Sequence, residues 1–411
     1  MGWAEVFPRI LGEGVDVEFR AYDGSRAGRP GADVVVEIRS PLALSHLAAS
    51  PDELGLARAY ITGALEVHGD MYETLARFPA IALDEVPMRT KLELFGRLAA
   101  SRFWWPVRPP AEEHRARGRR HSKSRDSSSV SHHYDVSNRF YEWVLGPSMA
   151  YTCACYPTED ATLEQAQFTK HDLVARKLGL QPGMRLLDVG CGWGGMVMHA
   201  AEHYGVRALG VTLSRQQAQW AQKAIVDRGL ADLAEVRYLD YRDVPETGFD
   251  AISSIGMTEH IGLDELPGYF TAMHDKLRPG GRLLNHCITR PDGRRKAAAG
   301  KFIGRYVFPD GELEGPGTLM SAMHDNGFEV RHEENLREHY ARTLRDWCAN
   351  LERHWDEAVR EVGPARARIW RLYMAGSRLG FEKNNIQLHQ MLGVRLDDGA
   401  ARMPLRPDWG A

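Results

Sequence analysis

Residues 186–195 read LLDVGCGWGG, an apolar run that passes through an acid at Asp188 into glycines. Gly190, Gly192 and Gly195 satisfy the G-x-G-x-x-G spacing. Glycines so placed permit a tight turn and let backbone N–H groups approach a ligand at a helix N-terminus. The spacing carries that meaning only between a strand and a helix, and both are expected here, at 184–190 and 193–204.

The same rhythm extends along the chain. Strands are expected at 207–213, 234–240, 249–257 and 281–289, with helices at 214–229 and about 264–277. This alternation argues an α/β fold with a doubly wound, mostly parallel sheet, whose ligand sits beyond the carboxyl ends of the strands. Residues 290–316, rich in Gly, Pro and basic side chains, read as an insertion. A helix at 318–326, a strand at 328–334 and long helical patterns at 343–362 and 364–380 follow, with Pro364 well placed at a helix start.

Two ligands compete for the loop. A nicotinamide dinucleotide requires an acid about 20 residues on, at the end of the second strand, to hold its ribose hydroxyls. That place reads GVTLS, residues 210–214, with no Asp or Glu. A dinucleotide-dependent oxidoreductase is therefore the remote alternative.

The chain's 411 residues are too many for one average domain, and its 43% apolar and 26% charged content is that of soluble globular proteins. A formal charge of -3 gives no general attraction to nucleic acid. The five cysteines (Cys153, Cys155, Cys191, Cys287, Cys348) are odd in number and share no repeated spacing, which argues against a disulfide framework and for a reducing cytoplasm. The N-terminal residues lack the pattern of a signal peptide, and no uncharged apolar run approaches the roughly 18 residues that span a bilayer. Any contact with lipid is expected at the membrane surface.

Residues 1–107 read as a smaller α+β domain, with a strand at 33–39, a helix at 54–62 that stops near Gly63, and a helical pattern at 88–103. Residues 108–130 read as a flexible basic linker. Positions 108–125 hold seven Lys/Arg (108, 115, 117, 119, 120, 123, 125) against Glu112 and Glu113, a local balance of +5. So few apolar residues cannot bury enough surface to order a segment. The simpler expectation is a solvated tether; the sharper one is attraction to anionic lipid head groups, about 1 kcal/mol per basic residue near the surface. Residues 131–395 read as the larger domain and 396–411 as a tail.

The form hhDVGCGxGG resembles the loop of class I S-adenosylmethionine (SAM) methyltransferases, whose fold is Rossmann-like. Further segments narrow the likeness: HHYDVS (132–137), MAYTC (149–153), GVTLS (210–214) with Gln217, SIGMTEH (254–260) and HYARTL (339–344). Together they resemble cyclopropane-fatty-acid synthases, strongly over about 120–395 and more weakly before that.

The resemblance implies transfer of a methyl group from SAM to the double bond of an unsaturated acyl chain in a phospholipid. An alkene is a poor nucleophile, so the sulfonium must lie in line with it in a dry pocket. Attack leaves a carbocation, which aromatic faces stabilise without being alkylated. Loss of a proton from the new methyl group closes a cyclopropane ring; a prior hydride shift gives a mid-chain methylene product instead. In the family the base is a bound bicarbonate, and the positions matching its cradle are Cys153, Glu259, His286 and Tyr340. Glu259 is expected to orient the ion, His286 and Tyr340 to donate to it, and the loop at Cys153 to close the pocket. Tyr134 and Tyr151 match residues that contact SAM, Thr212 and Gln217 replace the missing ribose carboxylate, and Asp188, Gly190, Gly192 and Gly194 hold the methionine end. Asp240 and Tyr241 fall where adenine is met. The implied setting is a peripheral enzyme of the inner membrane face, its N-terminal domain engaging the bilayer or a second copy in a homodimer.

Blander readings stand beside these. Glu259-His260 can simply cap the next segment, and His132-His133 can be a surface pair. Cys191 can be a small packed residue, and Trp347, Trp355 and Trp370 core or acyl-channel wall. Cys153 and Cys155 lack a second thiol pair, so no metal is expected. Two departures from the family bear on product identity. Ser377 stands where a cysteine is usual, and Thr258 where many relatives carry Phe.

Overall fold

The structure, a computed structural model, describes residues 2–11, 14–78, 96, 107–114, 137–291, 300–309 and 311–410. It divides into two compact units, neither continuous in sequence. The first takes residues 1–115, 300–309 and 355–379, and the second 116–299, 310–354 and 380–411.

In the first unit four strands are ordered β2-β1-β3-β4: β1 Glu18–Ala21, β2 Arg26–Gly28, β3 Val35–Ile38 and β4 Leu65–His68. β1 is parallel to β3 and the other pairs are antiparallel. Val35, Val36 and Ile38 of the expected strand are buried. The helix Glu53–Ile61 starts because the Asp52 side chain accepts from the Leu54 N–H, satisfying an otherwise orphaned donor. It ends before Gly63, whose φ of +71° suits glycine.

Part of the expected linker is built into this unit. The Glu113 carboxylate is buried and accepts from Arg58 Nε and Nη2 at 2.8 Å each and from the Tyr306 hydroxyl at 2.9 Å. Its acidity reflects a contest: burial raises the pKa, and the hydrogen bonds and charge of Arg58 and Tyr306 bring it below the usual carboxylate value. The composition argument failed here because it counted Glu113 as an exposed charge, whereas its partners lie 55 and 193 residues away. Residues 115–130 of the linker, and nearly all of the expected helix at 88–103, lie outside the described residues. The insertion at 290–316 also holds an unexpected helix, Lys301–Tyr306, tied to this unit by Lys301 Nζ on Asp52 at 2.5 Å.

The second unit carries a seven-stranded, mostly parallel sheet in the order β10-β11-β9-β8-β5-β6-β7. β5 Arg185–Val189, β6 Arg207–Thr212, β7 Ala234–Tyr238, β8 Phe249–Ile255 and β9 Leu277–Thr289 match the expected strands to within a few residues. They run parallel, β5 lying between β6 and β8, so the order reverses there. One apolar core packs the helices Leu163–Leu178, Gly195–Tyr204 and Arg215–Asp227, and another packs Leu266–Lys276 and Pro316–Asp325.

In the second unit the helices Asn138–Leu145 and Leu163–Leu178 and the strand β11 Gln387–Arg395 were not anticipated. β11 lies antiparallel between β9 and β10 Phe328–Asn335. The pattern at 343–362 is two helices, Arg337–Arg353 and Trp355–Val362, broken at His354. The broken helix has neither Gly nor Pro at the break, so periodicity alone ran through it. No described helix is long and apolar enough to cross a membrane.

Candidate active site

The loop after β5 is shaped from within. The N–H groups of Gly190 and Cys191 both donate to the Val211 carbonyl at 3.0 Å, and Gly194 N–H donates to the Cys191 carbonyl at 2.9 Å. Gly190, Gly192 and Gly194 have φ of +71°, +54° and +78°. Glycine is thus required at these positions for conformation, and two of the three amides serve the turn itself. Cys191 is buried and its thiol pKa is pushed well up by desolvation, in keeping with a packed, unreactive residue.

Asp188, one residue before the end of β5, is in register with Ser253 of β8, at the reversal of strand order. Its Oδ1 accepts from Ser253 Oγ at 2.6 Å, and burial pushes its pKa up to about 6. At the end of β6, Thr212 Oγ1 donates to Gln217 Oε1 at 2.7 Å. This buried neutral pair occupies the place where a dinucleotide fold puts an acid. After β7, Asp240 is gripped by Arg242, whose Nε and Nη2 donate at 2.8 and 2.6 Å. The carboxylate therefore already has a cationic partner, and the Tyr241 ring packs edge-on to Tyr269 at 5.3 Å.

Beyond β8, Glu259 sits in a short 3-10 turn, Thr258–His260. Glu259 Oε1 accepts from the Ile288 N–H of β9 at 2.8 Å, whereas Oε2 is buried with no hydrogen-bond partner among the described residues. Burial pushes this carboxyl up to about 7. Capping of the following segment does not account for the contact, since Glu259 reaches across to a neighbouring strand. His286 lies opposite Ile255 in β9, and its backbone carbonyl accepts from Gly256 N–H at 2.8 Å. Its Nδ1 meets Gln390 Nε2 at 3.1 Å, and its Nε2 is likewise buried without a partner among the described residues. Desolvation, then the charges of Lys170 and Lys177, hold the ring well below the usual histidine pKa, so it is neutral.

The N-terminal turns of Arg337–Arg353 organise the segment before Leu163–Leu178. Ala154 N–H donates to Thr343 Oγ1 at 3.0 Å, Tyr156 N–H donates to His339 Nδ1 at 3.0 Å, and Cys153 Sγ lies 3.7 Å from the Leu336 carbonyl. The two motifs at 149–153 and 339–344, almost 200 residues apart, are thereby joined. Trp347 is fully buried between Tyr151, 5.3 Å away between ring centroids, and Tyr340, 6.0 Å away. Phe381 lies tilted against Tyr340 at 4.4 Å. Trp347 is thus core. Met149 adopts a left-handed φ of +48° at the turn that leads into Tyr151.

Cys153 and Cys155 are buried, with desolvation pushing Cys153 well up and Cys155 to about 12. No cluster of metal-ligating groups occurs among the described residues. Tyr134 and the pair His132-His133 lie outside the described residues. Ser377, on Pro364–Glu382, belongs to the first unit and is half-buried there.

Sequence reasoning missed Lys170, Lys177 and Gln390. Both lysines are buried on the helix Leu163–Leu178, where Lys170 Nζ donates to Thr152 Oγ1 at 3.0 Å and lies 2.9 Å from His171 Nε2. Burial brings Lys170 down to about 8. Their signal was available: two charges seven residues apart fall on the apolar stripe of an amphipathic helix.

The described residues of the site fall within the part of the chain that matches a known family. Residues 121–391 match the family described as mycolic acid cyclopropane synthetase. A probable fatty acid methyltransferase of Mycobacterium tuberculosis is 54% identical over 404 residues, 96% of this chain and 94% of that one. The solved cyclopropane synthase MmaA2 from Mycobacterium tuberculosis is 34% identical with a TM-score of 0.62, covering 65% of this chain and 98% of that one. The mycolic acid cyclopropane synthase CmaA1, solved in complex with SAH and CTAB, gives 33% identity and a TM-score of 0.62 over 65% of this chain and 98% of that one. The oxidoreductase alternative falls with these matches. The chain belongs to the mycolic acid cyclopropane synthetase family and is a SAM-dependent methyltransferase of class I fold.

Proposed function

We propose that the chain methylates the double bond of an unsaturated fatty acyl chain in a phospholipid, using SAM and a bound bicarbonate, and gives a cyclopropane product. One observation carries this reading. Glu259 Oε2, in the turn after β8, and His286 Nε2, on the adjacent β9 near the carboxyl edge of the sheet, are both buried and unpartnered among the described residues. Buried polar atoms without partners are costly, and a small ion with both an acceptor and a donor end satisfies such a pair. Relatives named as fatty acid methyltransferase and mycolic acid cyclopropane synthase support the acyl substrate.

The residues present fit bicarbonate: Glu259 accepts from its hydroxyl, while neutral His286 and the Tyr340 hydroxyl donate. Bicarbonate, when bound there, supplies the base that takes the proton. Asp188, the glycine loop and the Thr212–Gln217 pair hold SAM with its methyl group toward the acyl chain. Tyr151 and Tyr340, backed by Trp347, present π-faces to the carbocation formed when the alkene attacks that methyl group. With their raised pKa values the buried thiols stay protonated and are poor traps for that cation.

A mid-chain methylene product is the second reading. It is favoured by Thr258, which is buried within 3.5 Å of Asn285 and puts a small polar side chain beside Glu259 where many relatives carry Phe. Membrane engagement rests on the basic residues between 108 and 125 and on the first unit, which contacts either anionic lipid or a second copy of the chain.

Purified protein, methyl-labelled SAM and unsaturated phospholipid vesicles test the assignment. Mass spectrometry of the released fatty acids should show a gain of one CH2, and catalytic hydrogenation should then reduce an exocyclic methylene and spare a cyclopropane. No labelled acyl chain in the presence of bicarbonate would overturn the proposal. Vesicle binding indifferent to anionic lipid and to salt would overturn the interfacial part.

A further inference from the structure

The row of side chains beside His286 has a chemical direction. β9, β11 and β10 align His286 opposite Gln390 and Gln390 opposite Glu334, so the three share one face of the sheet. Lys177 reaches this face from Leu163–Leu178 with its side chain fully buried. Its ammonium pairs with Glu334 Oε2 and donates to Gln390 Oε1 at 2.7 Å.

Lys177 removes the ambiguity in the amide. Paired with Glu334, the Lys177 nitrogen is an ammonium with no lone pair and can only donate, so the oxygen of Gln390 must face it and the NH2 group must face His286. Rotating the amide would set two donors against each other at Lys177. The Gln390 NH2 therefore donates to His286 Nδ1, which must carry a lone pair. In a neutral imidazole the proton is then on Nε2.

We propose that Lys177, acting through Gln390, is the positioning residue that fixes His286 as its Nε2–H tautomer. His286 thereby presents a donor, not an acceptor, at its unpartnered nitrogen. In the other tautomer that nitrogen would turn a lone pair toward an anion and repel it. This deepens the functional reading above and rests on it only for the statement that the donor meets an anion. Glu334 balances the buried ammonium, so the relay ends at a carboxylate that is 38% exposed.

Long-range 1H–15N correlation spectra of the full-length protein, 15N-labelled at histidine, test this directly, with His286 assigned by its loss in His286→Asn. The wild type should show a pyridine-type Nδ1 and a pyrrole-type Nε2 at His286. Gln390→Glu keeps the contact to Lys177 but replaces the NH2 with a second acceptor. It should swap the two nitrogen types and lower kcat roughly 10- to 100-fold, as loss of an orienting partner does at other sites, with KM for SAM unchanged within about twofold. Gln390→Leu, checked for folding by its melting curve, should give a mixture of tautomers. An Nδ1–H signal in the wild type, or an unchanged tautomer in both variants, overturns the proposal. A swapped tautomer with undiminished kcat overturns the positioning role. Failure of the methyl-transfer reading looks different: no lipid turnover in the wild type, with the nitrogen types still decided by the spectra.

Discussion

Glu259 Oε1 lies 2.8 Å from the Ile288 N–H, and this one hydrogen bond fixes where its other carboxyl oxygen points. The contact joins the turn after β8 to β9 in the way an orienting residue must. Burial outweighs this bond, which favours the charged form, and raises the group to about pKa 7.

Glu259→Gln should separate activity from stability. Gln keeps an oxygen for Ile288 and loses the negative charge, so turnover should fall by a factor of about 100 or more. A carboxyl raised on folding binds more protons folded than unfolded, so its contribution falls as pH rises from about 4.5 to about 7. The wild type therefore carries a penalty of about 3 kcal/mol at alkaline pH that the variant lacks. Melting curves should show Glu259→Gln more stable than wild type at pH 8 and little different at pH 4. Equal melting temperatures at both pH values would refute the buried carboxylate.

Gln217→Leu breaks the pair with Thr212. If these groups hold the ribose in place of an acid, the Kd for S-adenosylhomocysteine by calorimetry should rise about tenfold, equivalent to about 1.4 kcal/mol. Thermal stabilisation by S-adenosylhomocysteine should survive in reduced form, and NAD should give none to either protein.

Tyr340→Phe retains the tilted contact with Phe381 and the edge contact to Trp347 while removing the hydroxyl. Turnover should fall about tenfold or more with Tm within a few degrees of wild type. Trp347→Ala, by contrast, empties a fully buried site and should cost about 3–5 kcal/mol in urea unfolding. A Tyr340→Phe enzyme of full activity would remove the hydroxyl from the mechanism.

Glu113→Ala should destabilise the first unit by about 3 kcal/mol, because it strands the half-buried Arg58 and the Tyr306 hydroxyl. Glu113 is depressed on folding, so its contribution is present above the usual carboxylate pKa of 4.5 and is lost as pH falls through the lower folded value. Wild type and variant should therefore converge in acid. A constant difference in urea midpoint from pH 7 to pH 3 would contradict this.

How much of this was legible in the sequence follows from the range of the forces involved. The parallel strands and the glycine loop rest on local periodicity and turn chemistry, and β5 to β9 came out within a few residues of their expected bounds. Glu259 and His286 could be named because their motifs resemble a family, but nothing local said that Glu259 reaches Ile288. β11 was missed because both of its faces are buried, so it lacks the alternation that marks a half-exposed strand. His389 and Gln390 inside that apolar run were the clue to a buried polar role. The burial of Glu113 depends on partners distant in the chain, which no window of sequence contains.

The alignment of His286, Gln390 and Glu334 has a consequence for how the gene can vary. Alternate residues of a strand face opposite sides, so deleting one codon between the helix Pro364–Glu382 and β11 would turn Gln390 away from His286 and bring His389 or Met391 in its place. Removing two codons with the same slip would keep the facing but set Leu388 or Leu392 opposite His286, and the amide would be lost all the same. Heritable length changes at residues 383–386 are thus tolerated only where the connection absorbs them without moving the strand, because any slip, odd or even, leaves the histidine without its amide.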